Sequence, residues 1–337
     1  IGNLRHASVG DGAPTLRATL WTPQNVSSTP TPTYTDQAVG NSYAHPRVPA
    51  DESSARDGGA TLYDHSYLAN EALWDGWFFS SLSSRSRDGT PVTPAEMWDD
   101  FAADDGKLLN PRFRFRNGHR TSDQIQEELF DGSDLRLEAH RKIAANLLLD
   151  GGFNVNSTSV DAWTAFLSST RQRSIRRLDR TGSPGGERVE AEGTLFSRCD
   201  FVLDDAVAGG DVDSQYSGFR DLSDEQIREL AEKVVEEVRE RGPFLNLAQF
   251  VNRRLDRDPK LSLSGALQTA IDATDINDRA RALGRPGVGS PPGGTFANPD
   301  AARLNTSAGP PGWLMQGDLL DPLGPFITVR GDTFRIR

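Results

Sequence analysis

Apolar residues recur at helical spacing in several separate stretches of this chain. The clearest pattern follows Ser223, where apolar side chains return every three or four residues. Ser223 and Gln226 have the spacing of a capping box, and Gly242-Pro243 ends the pattern. The sequence therefore predicts a long amphipathic helix, whose buried face consists of Ile227, Leu230, Ala231, Val234, Val235 and Val238.

Shorter periodic stretches predict further helices between segments rich in glycine and proline. We expect these helices at about 66–81, 94–103, 122–130, 133–150, 264–273 and 313–320. Residues 110–116 instead alternate Arg with Phe, which favours a half-buried edge strand with the aromatic rings on one face. Residues 171–220 show no clear period, and we expect them to be irregular. Two strands, 326–330 and 333–337, are expected to meet at Gly331-Asp332.

The stretch Gly151–Leu167 reads as a helix end at a glycine pair, a sharp bend and a newly capped helix. Asn156, Ser157 and Thr158 are candidate caps for that helix, because each side chain can accept from a free backbone N–H. We interpret the stretch as a structural junction. We expect Asn154 and Asn156 to be buried and hydrogen-bonded to backbone.

Together these elements predict a mainly α protein with short β strands and long irregular arms, an α+β class. We expect an extended arm over residues 1–61, which either wraps its own domain or reaches a neighbour. A helical and mixed domain follows at 62–220, then a three-helix subdomain at 221–283. Residues 284–337 are expected to hold a linker, a short helix and a C-terminal β-hairpin.

Composition limits the classes of partner. The 337 residues carry a formal net charge of -11, which repels nucleic-acid phosphates and anionic lipid. Cys199 is alone, so an intrachain disulfide and a cysteine zinc cluster are excluded. Arg far outnumbers Lys, which fits a GC-rich genome or bidentate ion pairs at interfaces, and we favour the genome.

Membrane and targeting signals are missing from the given sequence. It contains no apolar run of the roughly 20 residues that span a bilayer, and no charged-then-apolar leader. It opens without Met, and its last expected strand runs to the final residue. We therefore expect it to be part of a longer polypeptide.

Catalytic signatures are weak. The five histidines are scattered without metal-ligand spacing, and the sequence has no nucleophile elbow, P-loop or dinucleotide glycine motif. Asp64 and His65 are adjacent, and the pair could act as the base of a catalytic site. A local cap or a surface hydrogen bond is the favoured interpretation. We expect no catalytic residue.

An acidic stretch offers the best candidate for ligand chemistry. Carboxylates on a flexible loop can supply the six to eight oxygens that Ca²⁺ prefers, although the spacing is not that of an EF-hand. The alternative is a solvated acidic loop. The candidate calcium ligands are Asp204, Asp205, Asp211 and Asp213, with Asp200 and Asp221 nearby.

Several motifs resemble known families. Asn154–Ser159 and Pro243–Phe250 resemble segments of the type II secretion minor pseudopilin K, a family that implies a small helix bundle and calcium binding. A closer resemblance, over most of the chain, is to the Verru_Chthon cassette protein A family of Verrucomicrobia. It rests on these segments: 1–7, 39–44, 67–75, 153–159, 250–255 and 328–337. The chain lacks the long apolar assembly helix of a pseudopilin.

These resemblances imply a non-enzymatic structural or assembly protein of the cell envelope. The expected location is extracytoplasmic, in the periplasm or at the cell surface, with pilin-like proteins or further copies as partners. Membrane contact would come only through segments absent from this sequence. The alternatives are a hydrolase with an Asp-rich site and a calcium-dependent binding module. A helix-hairpin-helix DNA binder built on residues 223–273 is disfavoured, because glutamates line its first helix.

Overall fold

A computed structural model describes most of the chain from Gly40 onward and divides it into two compact units. The first unit contains residues 1–68, 156–243 and 249–324, and the second contains 69–155, 244–248 and 325–337. The residues described are 40–57, 60–74, 82, 91–103, 108, 110, 112–116, 118–171, 174–178, 183, 189–190, 192–198, 201–203, 219–284, 296–305, 308, 312–329 and 331.

Helices and short strands alternate along the described ranges. The α-helices are α1 His65–Ala72, α2 Pro94–Ala102, α3 Ser122–Leu129, α4 Ala139–Lys142, α5 Val160–Leu167, α6 Asp224–Arg241, α7 Leu247–Val251, α8 Pro259–Ser262, α9 Ala266–Asp272, α10 Asp278–Leu283 and α11 Gln316–Leu323. The strands are β1 Ser54–Asp57, β2 Ala60–Tyr63, β3 Phe113–Phe115, β4 Phe130–Asp131, β5 Asp134–Leu135, β6 Leu147–Leu149, β7 Phe153–Asn154, β8 Ser174–Leu178, β9 Val189–Glu190, β10 Thr194–Ser197, β11 Phe201–Leu203, β12 Phe219–Leu222 and β13 Ile327–Thr328. The mixed α+β class is confirmed.

Helix α6 is the centre of the first unit and has the predicted amphipathic face. All six predicted apolar residues are buried, and α6 packs against α5 and α9. Its N-terminus carries the predicted capping box, in which Ser223 Oγ accepts from the Gln226 backbone N–H and Gln226 accepts from that of Ser223. Such a cap stabilises a helix by about 1 kcal/mol. Local sequence thus determines both the start and the buried side of this helix.

Three small sheets lie beside the helices in the described part of the first unit. Strands β10 and β12 pair antiparallel, and β10 also contacts α11. In the second sheet β8 lies between β11, which is parallel to it, and β9, which is antiparallel. The antiparallel pair β1 and β2 precedes α1.

The described part of the N-terminal segment packs into its own unit. Asn41, Tyr43 and Val48 are buried, and Tyr43 belongs to an apolar cluster with Trp313 and Met315. The arm was expected either to wrap its own domain or to reach a neighbour, and residues 40–48 lie against their own domain. Residues 1–39 lie outside the described ranges.

The second unit is organised around an aromatic cluster on α2. Trp98 is fully buried, and its ring lies within about 6 Å of the rings of Phe101, Phe115 and Phe130. Strand β3 supplies Phe115 and pairs antiparallel with β6. The predicted Arg–Phe strand is thus present, with Phe113 buried and Arg114 exposed.

The helix predicted over 133–150 is wrong. The segment instead contains β5, α4, a 3₁₀ turn at Ile143–Asn146 and β6. Its leucines matched helical spacing, but Leu137 and Leu148 are 89% and 52% exposed and belong to no buried helical face. Pairing of Leu147–Leu149 with β3 outweighs the local helical preference.

The prediction that 171–220 is irregular is also wrong, because five strands begin in this region. Each strand has at most five residues, and Arg176 and Arg177 interrupt the apolar pattern, so no period of two is visible. At the C-terminus, β13 pairs in parallel with β7. Its expected hairpin partner at 333–337 lies outside the described residues, as does most of 75–81 in the expected helix 66–81.

The junction that starts α5 differs from the prediction by one residue. Ser159, rather than Asn156, Ser157 or Thr158, caps α5 through the Ala162 backbone N–H. Asn154 and Asn156, which we expected to be largely buried, are half-buried.

Candidate functional site

The predicted calcium ligands cannot be placed. Asp204, Asp205, Asp211 and Asp213 lie in the range 204–218, outside the described residues, and so does Asp200. Asp221 is described, and its two carboxylate oxygens accept backbone N–H groups of Glu192 and Gly193 at 2.9 and 3.0 Å. This carboxylate holds a turn. Within the ranges given above, no cluster of three or more His, Cys, Asp or Glu side chains could hold a metal ion.

The adjacent pair Asp64 and His65 does not form a catalytic dyad. His65 is exposed, whereas Asp64 is buried and accepts from the Tyr67 backbone N–H at the start of α1, at 3.0 Å. The interpretation of this pair as a local cap therefore holds for Asp64.

Asp64 also forms a buried ion pair with Arg253 from the segment after α7. Arg253 Nη2 and Nε lie 3.0 and 3.3 Å from Asp64 Oδ2. The guanidinium also donates to the carbonyl oxygens of Ala50 and Glu52, at 2.7 and 2.8 Å, and lies 5.5 Å from the centre of the Tyr67 ring. Burial raises the pKa of Asp64, and the guanidinium partly offsets this. Arg253 joins three chain segments at one point.

His45 is a buried neutral imidazole near this pair. Its Nδ1 accepts the Arg47 backbone N–H at 3.0 Å, which requires an unprotonated nitrogen at that position. Burial, followed by the charges of Arg47 and Arg253, lowers its pKa to about 3. The imidazole therefore stays uncharged at neutral pH and does not act as a proton donor there.

A second buried network centres on Tyr43 and Asp272, the last residue of α9. The Tyr43 hydroxyl lies 2.9 Å from both carboxylate oxygens of Asp272 and accepts from Trp313 Nε1 at 3.3 Å. Gln268 Nε2 donates to Asp272 Oδ1 at 3.2 Å. Burial raises the pKa of Asp272 to about 7, while Tyr43, Gln268 and the charge of Arg281 oppose the rise. Burial also raises the pKa of Tyr43.

Two glutamines extend this network to further segments. Gln268 and Gln316 exchange hydrogen bonds, since each side-chain oxygen accepts the other's backbone N–H at 3.0 and 2.9 Å. Gln316 Nε2 then donates to the Gly40 and Val251 carbonyl oxygens at 2.6 and 2.8 Å. Both glutamines are fully buried. Their amides link α9, α11, the end of α7 and residue 40.

Arg241, at the C-terminus of α6, has the same kind of role. It is 2% exposed and donates to the carbonyl oxygens of Lys260 and Ser264 at 2.6 and 2.8 Å. It also donates to Thr269 Oγ1 at 2.9 Å and pairs with Glu237 on its own helix. The guanidinium supplies partners to backbone carbonyls around the short helix α8.

These groups can hold and orient the backbone, and one of them can exchange a proton near neutral pH. Asp272 has the pKa of a general base, but both of its oxygens accept from the buried Tyr43 hydroxyl. No local sequence pattern indicates Tyr43, Asp272, Arg253 or Gln316, because their partners are far away along the chain. No helix in the described ranges is both long and apolar enough to cross a membrane.

No protein-family model, curated protein or solved structure matches this chain. The resemblances of particular segments to known families therefore remain predictions.

Proposed function

We propose that this chain is a non-enzymatic structural or assembly protein of the cell envelope. The observation that carries the proposal is the use made of buried polar side chains. Arg253 and Arg241 each donate to two backbone carbonyls of a segment distant in sequence, and Gln316 donates to carbonyls of two such segments. Such contacts stabilise one arrangement of a loop-rich chain, which is the requirement of a building block.

The titratable groups give the same indication. Catalysis by proton transfer needs an acid or base within hydrogen-bond reach of a substrate. Asp272 is the group whose pKa suits that task, and its carboxylate accepts from Tyr43 and Gln268 inside the first unit. His45 is buried with its Nδ1 occupied. The arrangement favours a structural function for both networks.

The envelope location and the pilus-like context rest on the resemblance to the Verru_Chthon cassette protein A family and to minor pseudopilin K. The proposed partners are pilin-like proteins of the periplasm or cell surface, or further copies of the chain. Residues 153–159 and 243–250 are the segments in common with minor pseudopilin K. The hydrogen bonds of Arg253 supply a reason for the Phe250–Leu255 segment that resembles the cassette family.

Cross-linking on intact cells tests the assembly part of the proposal. The chain has 48 acidic residues and only four lysines, Lys107, Lys142, Lys233 and Lys260, so a carboxylate-reactive dihydrazide is the suitable reagent. We expect cross-links from this chain to a pilin-like protein or to a second copy, and their loss when cells are lysed and diluted before the reagent is added. A chain found cross-linked to neither, and recovered with cytoplasmic markers after fractionation, would contradict the proposal.

Calcium binding by Asp204, Asp205, Asp211 and Asp213 is a separate proposal from the sequence. Calorimetric titration of the purified chain with Ca²⁺ after removal of metal by chelator tests it. We expect heat of binding, and its loss on combining Asp211→Asn with Asp213→Asn. Asp275→Asn, an exposed aspartate outside the acidic stretch, is the matched control. Equal heats in the double variant and the control would exclude this site.

A further inference from the structure

One face of the β10–β12 sheet carries a half-buried arginine, Arg220, whose Nε and Nη2 are shielded from solvent. The antiparallel register places Arg220 opposite Phe196 and Leu222 opposite Thr194. Opposed residues, and residues two apart on one strand, lie on the same face of a sheet, so these four side chains share a face. Phe196 and Thr194 are 0% exposed and Leu222 is 2% exposed. The Arg220 side chain is thus directed to a buried, largely apolar surface.

Polar atoms on this face have no partner. Arg220 Nε and Nη2 are shielded from solvent and have no hydrogen-bond partner in the part of the chain that the structure describes. The same is true of Thr194 Oγ1 and of Thr170 Oγ1. Thr170 lies next to this sheet, because Arg171 forms a β-bridge with Thr194. Buried polar groups are normally hydrogen-bonded, so this concentration of unpartnered atoms calls for an explanation.

The two unpartnered nitrogens of Arg220 form the edge of the guanidinium that binds a carboxylate in a fork. Arg198 in the same unit shows this geometry, with Nε and Nη2 each 3.0 Å from one oxygen of Asp318. Arg253 uses the same two nitrogens for Asp64. A planar carboxylate matches this edge because both of its oxygens can accept at once.

The nearest acidic residue along the strand does not fill this position. Asp221 follows Arg220 directly, so its side chain lies on the opposite face of β12, where its oxygens accept the backbone N–H groups of the 192–193 turn. Burial lowers the pKa of Arg220, and no acidic side chain in the described ranges opposes it. A guanidinium without a partner in such a place destabilises the fold.

We propose that the Nε–Nη2 edge of Arg220, with the Thr194 hydroxyl on the same face, binds a carboxylate supplied by another molecule. The carboxylate completes the fork, and the hydroxyl donates a further hydrogen bond to it. Because both nitrogens are shielded from solvent, the carboxylate enters when the face opens locally. The ligand is either a small free carboxylate or a carboxylate side chain of another protein.

Thermal unfolding in matched salts tests this site. The purified chain is melted in sodium chloride and in sodium acetate at the same pH and ionic strength, with Arg220→Met and Arg176→Gln alongside. Arg176 is an exposed arginine on β8, so its variant controls for the lost charge. We expect acetate to raise the melting temperature of the wild type and of Arg176→Gln by several degrees, and not that of Arg220→Met.

The chloride arm gives an independent readout. If the Arg220 guanidinium has no partner in chloride, its removal is expected to leave Arg220→Met at least as stable as the wild type. If the guanidinium were paired, the variant would melt at a lower temperature than the wild type. Thr194→Val, which keeps the shape of the side chain, is expected to halve the acetate effect or more. A peptide with a single Glu between glycines replaces acetate in a third arm, and a larger effect of the peptide identifies a protein-borne carboxylate. Equal melting temperatures of the wild type in all three solutes, or an Arg220→Met variant that melts below the wild type in chloride, would overturn the proposal.

Discussion

Replacing Asp272 by Asn is expected to remove a loss of stability that the wild type undergoes as the pH rises. Burial raises the pKa of Asp272 from 3.8 to about 7. The folded protein therefore holds this proton more tightly than the unfolded chain does. As a result, this group makes the free energy of unfolding larger below pH 3.8 than above pH 7. The stability contributed by the bound proton is present at pH 3.8 and is lost as the pH rises through 7. The two pKa values differ by about 3, which corresponds to about 4 kcal/mol.

The measurement is the free energy of unfolding by urea at pH 4, 5, 6, 7 and 8, for the wild type and Asp272→Asn. An asparagine oxygen still accepts from Tyr43 and Gln268, so the two proteins are expected to be of similar stability at pH 4. At pH 8 the variant is expected to be more stable by up to about 4 kcal/mol, because it has no charge to bury. Other titrating groups, including His45, are present in both proteins and cancel in the difference.

The control is Asp275→Asn, which removes an exposed carboxyl three residues further along the chain. Its difference from the wild type is expected to vary by less than about 0.5 kcal/mol over the same pH range, as for most surface substitutions. The reasoning is refuted if Asp272→Asn shows the same flat profile. It is also refuted if the wild type gains on that variant as the pH rises, since the charges of Arg281 and the hydrogen bonds would then outweigh burial.

Three further predictions follow from other buried positions. His45→Asn is expected to abolish an acid loss of about 3 kcal/mol between pH 7 and 4, because a folded-state pKa of about 3 makes the stability present above pH 6.5 decline as the pH falls towards 3. Urea unfolding at these two pH values measures the loss, and equal losses in the wild type and the variant would contradict the prediction. Arg253→Ala is expected to cost about 3–5 kcal/mol in guanidinium unfolding, and Arg257→Ala, whose ion pair is at the surface, is expected to cost far less; similar costs would contradict the burial argument. Gly40→Ala is expected to lower the melting temperature more than Gly118→Ala. Both glycines have positive φ, but only at Gly40 would the added Cβ meet backbone, at 3.2 Å; a larger effect of Gly118→Ala would contradict this.

The parts of the fold that sequence predicted are those determined by neighbours along the chain. The face and capping box of α6 depend on residues three or four positions apart, and both are present as expected. The Arg–Phe alternation likewise predicted β3. Over 133–150 the local pattern failed, because Leu147–Leu149 pair with a strand more than thirty residues away. A spacing rule cannot register such a partner.

The candidate site could not be predicted for the same reason. Tyr43 and Asp272 are 229 residues apart, and Arg253 and Asp64 are 189 apart. In the sequence Asp272 is one of many aspartates, and only the fold shows that its carboxylate accepts from the buried Tyr43 and Gln268. The acidic stretch was the more visible signal, since its residues are adjacent in the chain. Its aspartates remain a prediction, whereas the groups with altered pKa values were found only through long-range contacts.

The excess of arginine over lysine acquires a physical meaning at the buried positions. Genome composition can explain how often arginine occurs, but not which acceptors a given arginine contacts. Arg253, Arg241 and Arg198 each donate to at least two acceptors in different directions, which the planar guanidinium allows and a single ammonium charge does not match. Of the three, Arg198 forms a two-oxygen ion pair, with Asp318. The Nε and Nη2 atoms of Arg220 are shielded in the same unit without such acceptors among the described residues, and that contrast is why we assign this edge to a ligand rather than to the internal framework.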